Sequence, residues 1–383
     1  MPKKAIRQAA MIAAAICVSA LAACTSGTGS ASSSGSGSGF NVTPFKQAAT
    51  QFLKGSPSSY QGPASSPGAP ANVKIWIMPC SASLSGCQTP AQYAEKAAKA
   101  LGWHVTMFDG QGSPRTENTG LLDAVAAGAN VIVTVSVSPD LVQQGLKAAA
   151  QAKIPVVSVS NGTGSPNPAP ASQPKYHYAV DVSVNYLGIG KAMADSVIAD
   201  SGGKAHVLVM GDKEFPSVNL TQQAILAELA KCKTCTVSKV VYFTSDAVAS
   251  SLAQQTVGYL QSHPDIDYVV SPYDPAAAVQ VPAIQAAGLA SRVKLVSVVA
   301  APENLAFIAS GRVQFADTAE GNNYLGYAAI DQAIRLLKGQ AVYSPNGENT
   351  PLALLEKGNL PPAGQQWSPD FDFESAFMKA WKG

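Results

Sequence analysis

From Val73 onward, short runs of β-branched residues alternate with alanine-rich stretches of helical length. This alternation predicts repeated β-α-β units, in which parallel strands are joined by helices that cover the sheet. The run 131–133 is apolar without polar alternation, as expected for a strand that is buried on both faces. The fold class is therefore predicted to be α/β with parallel sheets.

The alternation occurs twice, on either side of a loop rich in glycine and proline at 162–174. Strands are predicted at 73–78, 104–108, 131–135 and 156–159 in the first half, and at 205–210, 239–242, 268–271, 294–298 and 313–316 in the second. Two similar halves predict two lobes with a cleft between them. Open α/β sheets bind ligands beyond the carboxyl ends of their strands, so the cleft is the predicted site.

The N-terminal segment reads as an export signal. Three basic residues precede an apolar stretch at 9–23, which at about fifteen residues is shorter than the ~20 of a membrane span. Small residues before Cys24 resemble a bacterial lipobox, which favours lipidation over plain secretion. We expect a signal peptide at 1–23, an acylated Cys24, and a flexible Ser/Gly/Pro linker over 24–71, with a weak amphipathic pattern at 40–55. The protein would then lie on the outer face of the cell membrane.

Composition argues against nucleic acid as a partner. Only 13% of the 383 residues are charged, against the usual ~25%, and 26 basic residues face 24 acidic ones. Lys3, Lys4 and Arg7 belong to the predicted signal peptide, so the remainder has 23 basic residues and a net charge of −1. No basic surplus remains to bind a phosphate backbone.

Four cysteines belong to the predicted folded body. Cys80 and Cys87 bracket the loop after the first strand, and Cys232 and Cys235 have CxxC spacing. In an exported chain, two local disulfides are favoured over redox chemistry, while a shared zinc site is the alternative. The sequence holds no Walker loop, HExxH or GxSxG motif, and its four histidines are scattered. We therefore predict no enzyme activity, no cofactor and no metal.

Six different short motifs follow one another along the chain, at 101–103, 109–114, 127–133, 148–157, 262–267 and 285–288. On these residues the sequence resembles the type I periplasmic binding proteins of the ribose and galactose class, which are solute receptors of ABC importers. The resemblance runs from Val73 to about Val342. It implies two Rossmann-like lobes joined by a three-strand hinge. Lobe 1 would comprise 72–180 and 321–345, and lobe 2 would comprise 181–320 and 346–383 with the C-terminal tail.

The resemblance also implies which residues reach the ligand. The predicted ligand-binding residues are Ser81, Ser83, Ser160, Asn161, Asn219, Tyr273, Asp274 and Glu320. The family's arginine falls on Asn219, and the aspartate that holds the sugar falls on Val299. Replacement of these charged groups removes directional hydrogen bonds. The fold therefore carries over, but the sugar specificity does not.

The resulting prediction is a monomeric, lipid-anchored solute receptor. It would capture a small polar molecule, a sugar or polyol, and deliver it to a membrane ABC permease. A ligand sensor that presents its bound molecule to a membrane signalling receptor is the alternative that the sequence leaves open. The aromatic residues of the tail are predicted to dock on a lobe, with a ligand-facing Trp367 as the alternative.

Overall fold

Residues 40–169 and 174–382 are described by the computed structural model. The predicted signal peptide, Cys24 and linker residues 24–39 lie outside this range. The described chain contains the strands β1 (Lys74–Pro79), β2 (His104–Met107), β3 (Val131–Val135), β4 (Val156–Val159), β5 (Val180–Val182), β6 (His206–Asp212), β7 (Thr236–Val237), β8 (Val241–Phe243), β9 (Tyr268–Val270), β10 (Lys294–Val298), β11 (Gln314–Glu320) and β12 (Leu352–Glu356).

Helices occupy most of the intervals between these strands. They are α1 (Thr43–Phe52), α2 (Ser85–Ala100), α3 (Pro114–Ala126), α4 (Gln143–Gln151), α5 (Tyr186–Asp200), α6 (Pro216–Leu229), α7 (Leu252–Ser262), α8 (Asp274–Ala286), α9 (Pro302–Ala309), α10 (Asn322–Leu337) and α11 (Phe373–Ala380). The α3 helix shows how the sequence sets its boundaries. Ser113 accepts a hydrogen bond from the Thr116 amide, and Pro114 occupies the first turn, where no amide donor is needed.

The strands form two sheets, which confirms the predicted α/β class with parallel sheets. The first has five parallel strands in the order β2-β1-β3-β4-β5. The second has seven strands in the order β12-β11-β10-β9-β6-β7, with β8 also paired to β6. Its strands are parallel except β12, which runs antiparallel to β11. All five residues of β3 are buried, as their uninterrupted apolar character predicts.

The chain passes between the two halves three times. After β5 it enters α5, which packs on α6 and the second sheet. After β11 it enters α10, which packs closely on α2 of the first half. A β-carbon on Gly326 would lie 2.6 Å from the backbone of both Pro90 and Ala94, so only glycine permits this approach. The chain then returns to form β12. The lobe boundaries themselves stay a prediction.

The folded part of the chain begins earlier than predicted. Helix α1 packs on α5 and buries Phe45 and Ala49, so the amphipathic pattern at 40–55 forms a docked helix. Ser56 forms an antiparallel bridge with Leu352. The structure thus replaces the linker predicted up to residue 71 with packed chain from Phe40. The segment is rich in proline, serine and glycine, but it is ordered because its apolar residues pack against the core.

The C-terminal aromatic residues dock on α10, on the half that contains the first sheet. Phe377 packs against Tyr324 and Tyr327, and the Trp381 indole donates a hydrogen bond of 2.9 Å to Asp331. The segment 346–383 is predicted to belong with lobe 2, yet α11 packs on the other half. Trp367 packs beside the cluster of Ala353 and Leu355, away from the cleft.

The structure contains both predicted local disulfides, Cys80–Cys87 and Cys232–Cys235. The first ties the loop after β1 to the start of α2, so it positions one wall of the cleft. Within 40–169 and 174–382, no helix is long and apolar enough to cross a membrane.

Candidate functional site

A cavity lies where the carboxyl ends of the strands of the two sheets face each other. The first half contributes Leu84, Gly86, Cys87, Ser136 and Ser160, and the second contributes Tyr186, Phe215, Ser217, Val218, Thr221, Pro272, Tyr273, Pro275, Val298, Val299 and Glu320. These residues lie at the ends of strands, in the loops that follow them, or in the first two turns of the next helices. Because both halves form the walls, a bound molecule would contact both and stabilise their closure.

Three of the residues that line the cavity have a positive φ, a backbone conformation that residues other than glycine seldom adopt. Ser136 and Ser160 have φ values of 55° and 65°, and Val299 has a φ of 122°. A β-branched residue with positive φ is a steric outlier, and such conformations cluster at functional sites. This concentration at the strand ends independently marks the cavity as a candidate site.

The structure brings three of the predicted ligand-binding residues to this cavity: Ser160, Tyr273 and Glu320. Tyr273 is only 8% exposed, and its ring meets Phe215 and Phe243 edge-on. Its hydroxyl donates a hydrogen bond of 2.8 Å to Asp212. Tyr273 therefore offers the cavity a fixed aromatic surface, while its hydroxyl is held by the protein.

Four other predicted residues do not line the cavity. Their side chains instead form hydrogen bonds with residues close to them in sequence. Ser81 and Ser83 are hydrogen-bonded to each other at 2.8 Å. The Asn161 amide donates to the Ser158 hydroxyl at 2.7 Å, and the Asn219 amide donates to the Phe215 carbonyl at 3.1 Å. These contacts hold the loop backbones in place.

Asp274 also lies away from the cavity, fully buried beneath it. Its carboxylate accepts hydrogen bonds from the Ser297 hydroxyl and the Ala301 amide. Burial, together with the neighbouring charge of Asp317, raises the pKa of Asp274 well above its ordinary value. The group therefore fixes the loop after β10 and is not among the residues that line the cavity.

Tyr186, Ser217 and Thr221 also line the cavity, although the sequence did not predict them as ligand-binding residues. Tyr186 begins α5, while Ser217 and Thr221 lie in the first turns of α6. The predicted residues came from the loop after the first strand and from the positions that match the family's ligand-binding residues, and none of these falls on the three. Since these helices start at the cleft, polar residues in their first turns are the signal that could have identified the three.

Among the described residues that line the cavity, Glu320 is the only one with a carboxyl or basic side chain. It ends β11 at the crossing into α10 and is 8% exposed. Burial, and secondly the charge of Asp317, raise the pKa of Glu320 to about 7. The site thus combines an aromatic and aliphatic surface with hydroxyl groups and one carboxyl group.

Comparison with known proteins gives a consistent result. Residues 75–341 match the family model described as a periplasmic binding protein domain. The ribose import binding protein of Salmonella typhimurium is 26% identical over 254 residues, which cover 65% of this chain and 79% of that protein.

Solved structures share the fold at low sequence identity. A solute-binding protein of an ABC transporter from Agrobacterium vitis, bound to α-D-tagatopyranose, is 21% identical with a TM-score of 0.68 and covers 76% of this chain and 97% of its own. A solute-binding protein from Mycobacterium smegmatis with bound glycerol is 20% identical with a TM-score of 0.67, covering 78% and 100%.

Proposed function

This chain belongs to the type I periplasmic binding protein family, and from that premise we propose that it is the extracytoplasmic solute-binding lipoprotein of an ABC importer. It captures a small polar ligand in the cavity between the two sheets and delivers it to the permease. The observation that carries the proposal is the cavity itself, which is lined from both halves at the carboxyl ends of their strands. The relatives are transport proteins, so we propose no catalytic step.

The proposed ligand is a sugar or polyol. Support comes from the relatives, whose names or bound molecules are ribose, tagatose and glycerol. It also comes from the lining, where Ser136, Ser160, Ser217 and Thr221 offer hydroxyl groups and Tyr273 offers a ring face for stacking. No arginine or lysine lines the described cavity, so a neutral or positively charged ligand fits better than an anionic one.

Anchoring follows from the N-terminal sequence. We propose that Cys24 is acylated and holds the protein on the outer face of the membrane. Several acyl chains on one cysteine exceed the two signals that stable anchoring requires. Residues 25–39 would connect the anchor to the folded part that begins at Phe40.

A cavity-blocking variant tests this function. The chain from residue 24 with Cys24→Ser is screened by thermal shift against sugars and polyols, since a ligand of the folded state raises the melting temperature. Gly86 lies in the first turn of α2, and its added β-carbon would stand 3.5 Å from Val299 across the cleft. Gly86→Leu should therefore fill the cavity and abolish the shift produced by any hit.

Gly258→Leu is the matched control. Gly258 is also helical, but a β-carbon there meets nothing within 4 Å. This variant should retain the full ligand-induced shift. A hit that stabilises Gly86→Leu as strongly as the parent protein would show that the ligand binds elsewhere and would refute the proposed site.

A further inference from the structure

The carboxylate of Glu320 makes no hydrogen bond of normal length within the part of the chain that the structure describes. No described residue donates a hydrogen bond to its side chain within normal distance, although the group is 8% exposed and lines the cavity. The Asn322 side chain interacts weakly with the carboxylate and favours its charge, yet neither polar atom of that side chain has a hydrogen-bond partner within normal distance. A buried carboxylate without a partner costs several kcal/mol, so a proton or a ligand must compensate it.

A hydroxyl group that lines the same cavity also lacks a partner. The Ser160 hydroxyl is buried and makes no hydrogen bond. Tyr186 lies close to the hydroxyls of Ser160 and Ser217 and within the electrostatic range of Glu320. This end of the cavity thus gathers hydroxyl groups around one acid. Hydroxyl groups can accept hydrogen bonds as well as donate them. The three hydroxyl groups and the Glu320 carboxylate can therefore all accept hydrogen bonds from a ligand.

The rest of the lining does not balance the negative charge. It is formed largely by Leu84, Phe215, Val218, Val299 and the ring of Tyr273, together with Pro272 and Pro275. No basic side chain in the described cavity faces the carboxylate. A neutral polyol would hydrogen-bond to Glu320 but would leave the charge of the carboxylate unbalanced unless the group took up a proton. A ligand with one positive charge would neutralise the site on closure.

We propose that the preferred ligand is a small amino-substituted sugar or polyol whose protonated amine pairs with the Glu320 carboxylate. This inference rests on the proposed function, because it specifies the ligand of the same cavity. The hydroxyls of Ser160, Tyr186 and Ser217 would accept the remaining ammonium or hydroxyl protons. The apolar lining would cover the carbon skeleton.

Matched pairs of probes test the charge directly. Serinol (2-amino-1,3-propanediol) differs from glycerol by an amine in place of one hydroxyl, and D-glucosamine differs from D-glucose in the same way. Dissociation constants are measured by calorimetry at pH 7.5 on the chain from residue 24 with Cys24→Ser. We expect the amine of at least one pair to bind at least tenfold more tightly than its neutral counterpart.

Two carboxyl-to-amide variants assign the preference to its residue. Glu320→Gln keeps the shape and removes the charge, so the preference should fall to within about twofold. Glu356→Gln is the control, because Glu356 lies on the neighbouring strand β12 and does not line the cavity. It should keep the preference in full. A preference that survives in Glu320→Gln would overturn the proposed pairing.

The outcomes separate this inference from the function on which it rests. Tight binding of glycerol or glucose with no gain for the amines overturns the charge preference and leaves the solute-binding function standing. If none of the four probes binds and the wider sugar and polyol screen is also negative, both proposals fail.

Discussion

Glu117 permits a quantitative test of how closely the two halves approach. It lies on α3 of the first half, is 5% exposed, and lines a small cavity with Glu214, which follows β6 of the second half. Glu214 accepts a hydrogen bond from the Ser245 amide at 2.6 Å, which holds it in place. Burial, and secondly the charge of Glu214, raise the pKa of Glu117 to about 7 from 4.5.

The raised pKa fixes the direction of the pH effect. Between pH 4.5 and 7 the folded protein keeps a proton on Glu117 that the unfolded chain has released, so stability falls as pH rises through this window. At about 1.4 kcal/mol for each pH unit, the ionised group lowers the free energy of unfolding by about 3 kcal/mol above pH 7. Glu117→Gln does not titrate and avoids this loss.

Urea unfolding of the parent protein and Glu117→Gln at pH 4.5, 6 and 8 provides the measurement. Between pH 4.5 and pH 8, the free energy of unfolding of Glu117→Gln should rise by about 3 kcal/mol relative to that of the parent protein. Asp123→Asn is the control, because Asp123 is exposed on the same helix, and it should change this difference by less than about 0.5 kcal/mol. A difference between Glu117→Gln and the parent that stays constant with pH, or falls as pH rises, would refute the reasoning.

Two further substitutions test the packing. Gly326→Ala places a β-carbon 2.6 Å from the backbone of α2, so it should lower the free energy of unfolding by about 1–3 kcal/mol. Gly258→Ala is the control, because a β-carbon there meets open space, and it should be neutral or stabilising. Equal effects of the two substitutions would contradict the close approach of α10 and α2. Phe45→Ala removes a buried side chain of α1 and should cost about 3 kcal/mol in thermal or urea unfolding, a loss that a flexible linker would not show.

The sequence predicts the fold well because long elements carry a strong period. The strand predicted at 131–135 has the same bounds in the structure, and the β-α-β alternation correctly indicates parallel sheets. The missed strands were the short β5 and β7, with three and two residues, together with β12 in the tail. Two or three residues cannot display a period, so only pairing with neighbours identifies such strands. Helix α1 was underestimated for a related reason, since its partner α5 lies far away in sequence.

The site was predicted less completely, because sequence position locates a loop but not the direction of its side chains. Positions 160, 219 and 273 all follow strands that end at the cleft, yet Asn219 turns back to the Phe215 carbonyl while Ser160 and Tyr273 line the cavity. The same uncertainty applies to Asp274, whose neighbour Tyr273 faces the cavity while Asp274 bonds Ser297 and Ala301 beneath it. Hydrogen bonds formed within the fold decide these directions.

The acidic groups at the contact between the two halves all oppose closure of the cleft while they are ionised. Glu320 in the ligand cavity, and Glu117 with Glu214 in the smaller one, are all carboxyl groups, and no basic residue lines either cavity in the described chain. Bringing the halves together removes water from these groups, which penalises closure while they are ionised. A cationic ligand offsets the penalty at Glu320, whereas a neutral ligand leaves it in place. Selectivity for charge would then arise from the cost of closing the cleft as well as from the ion pair itself.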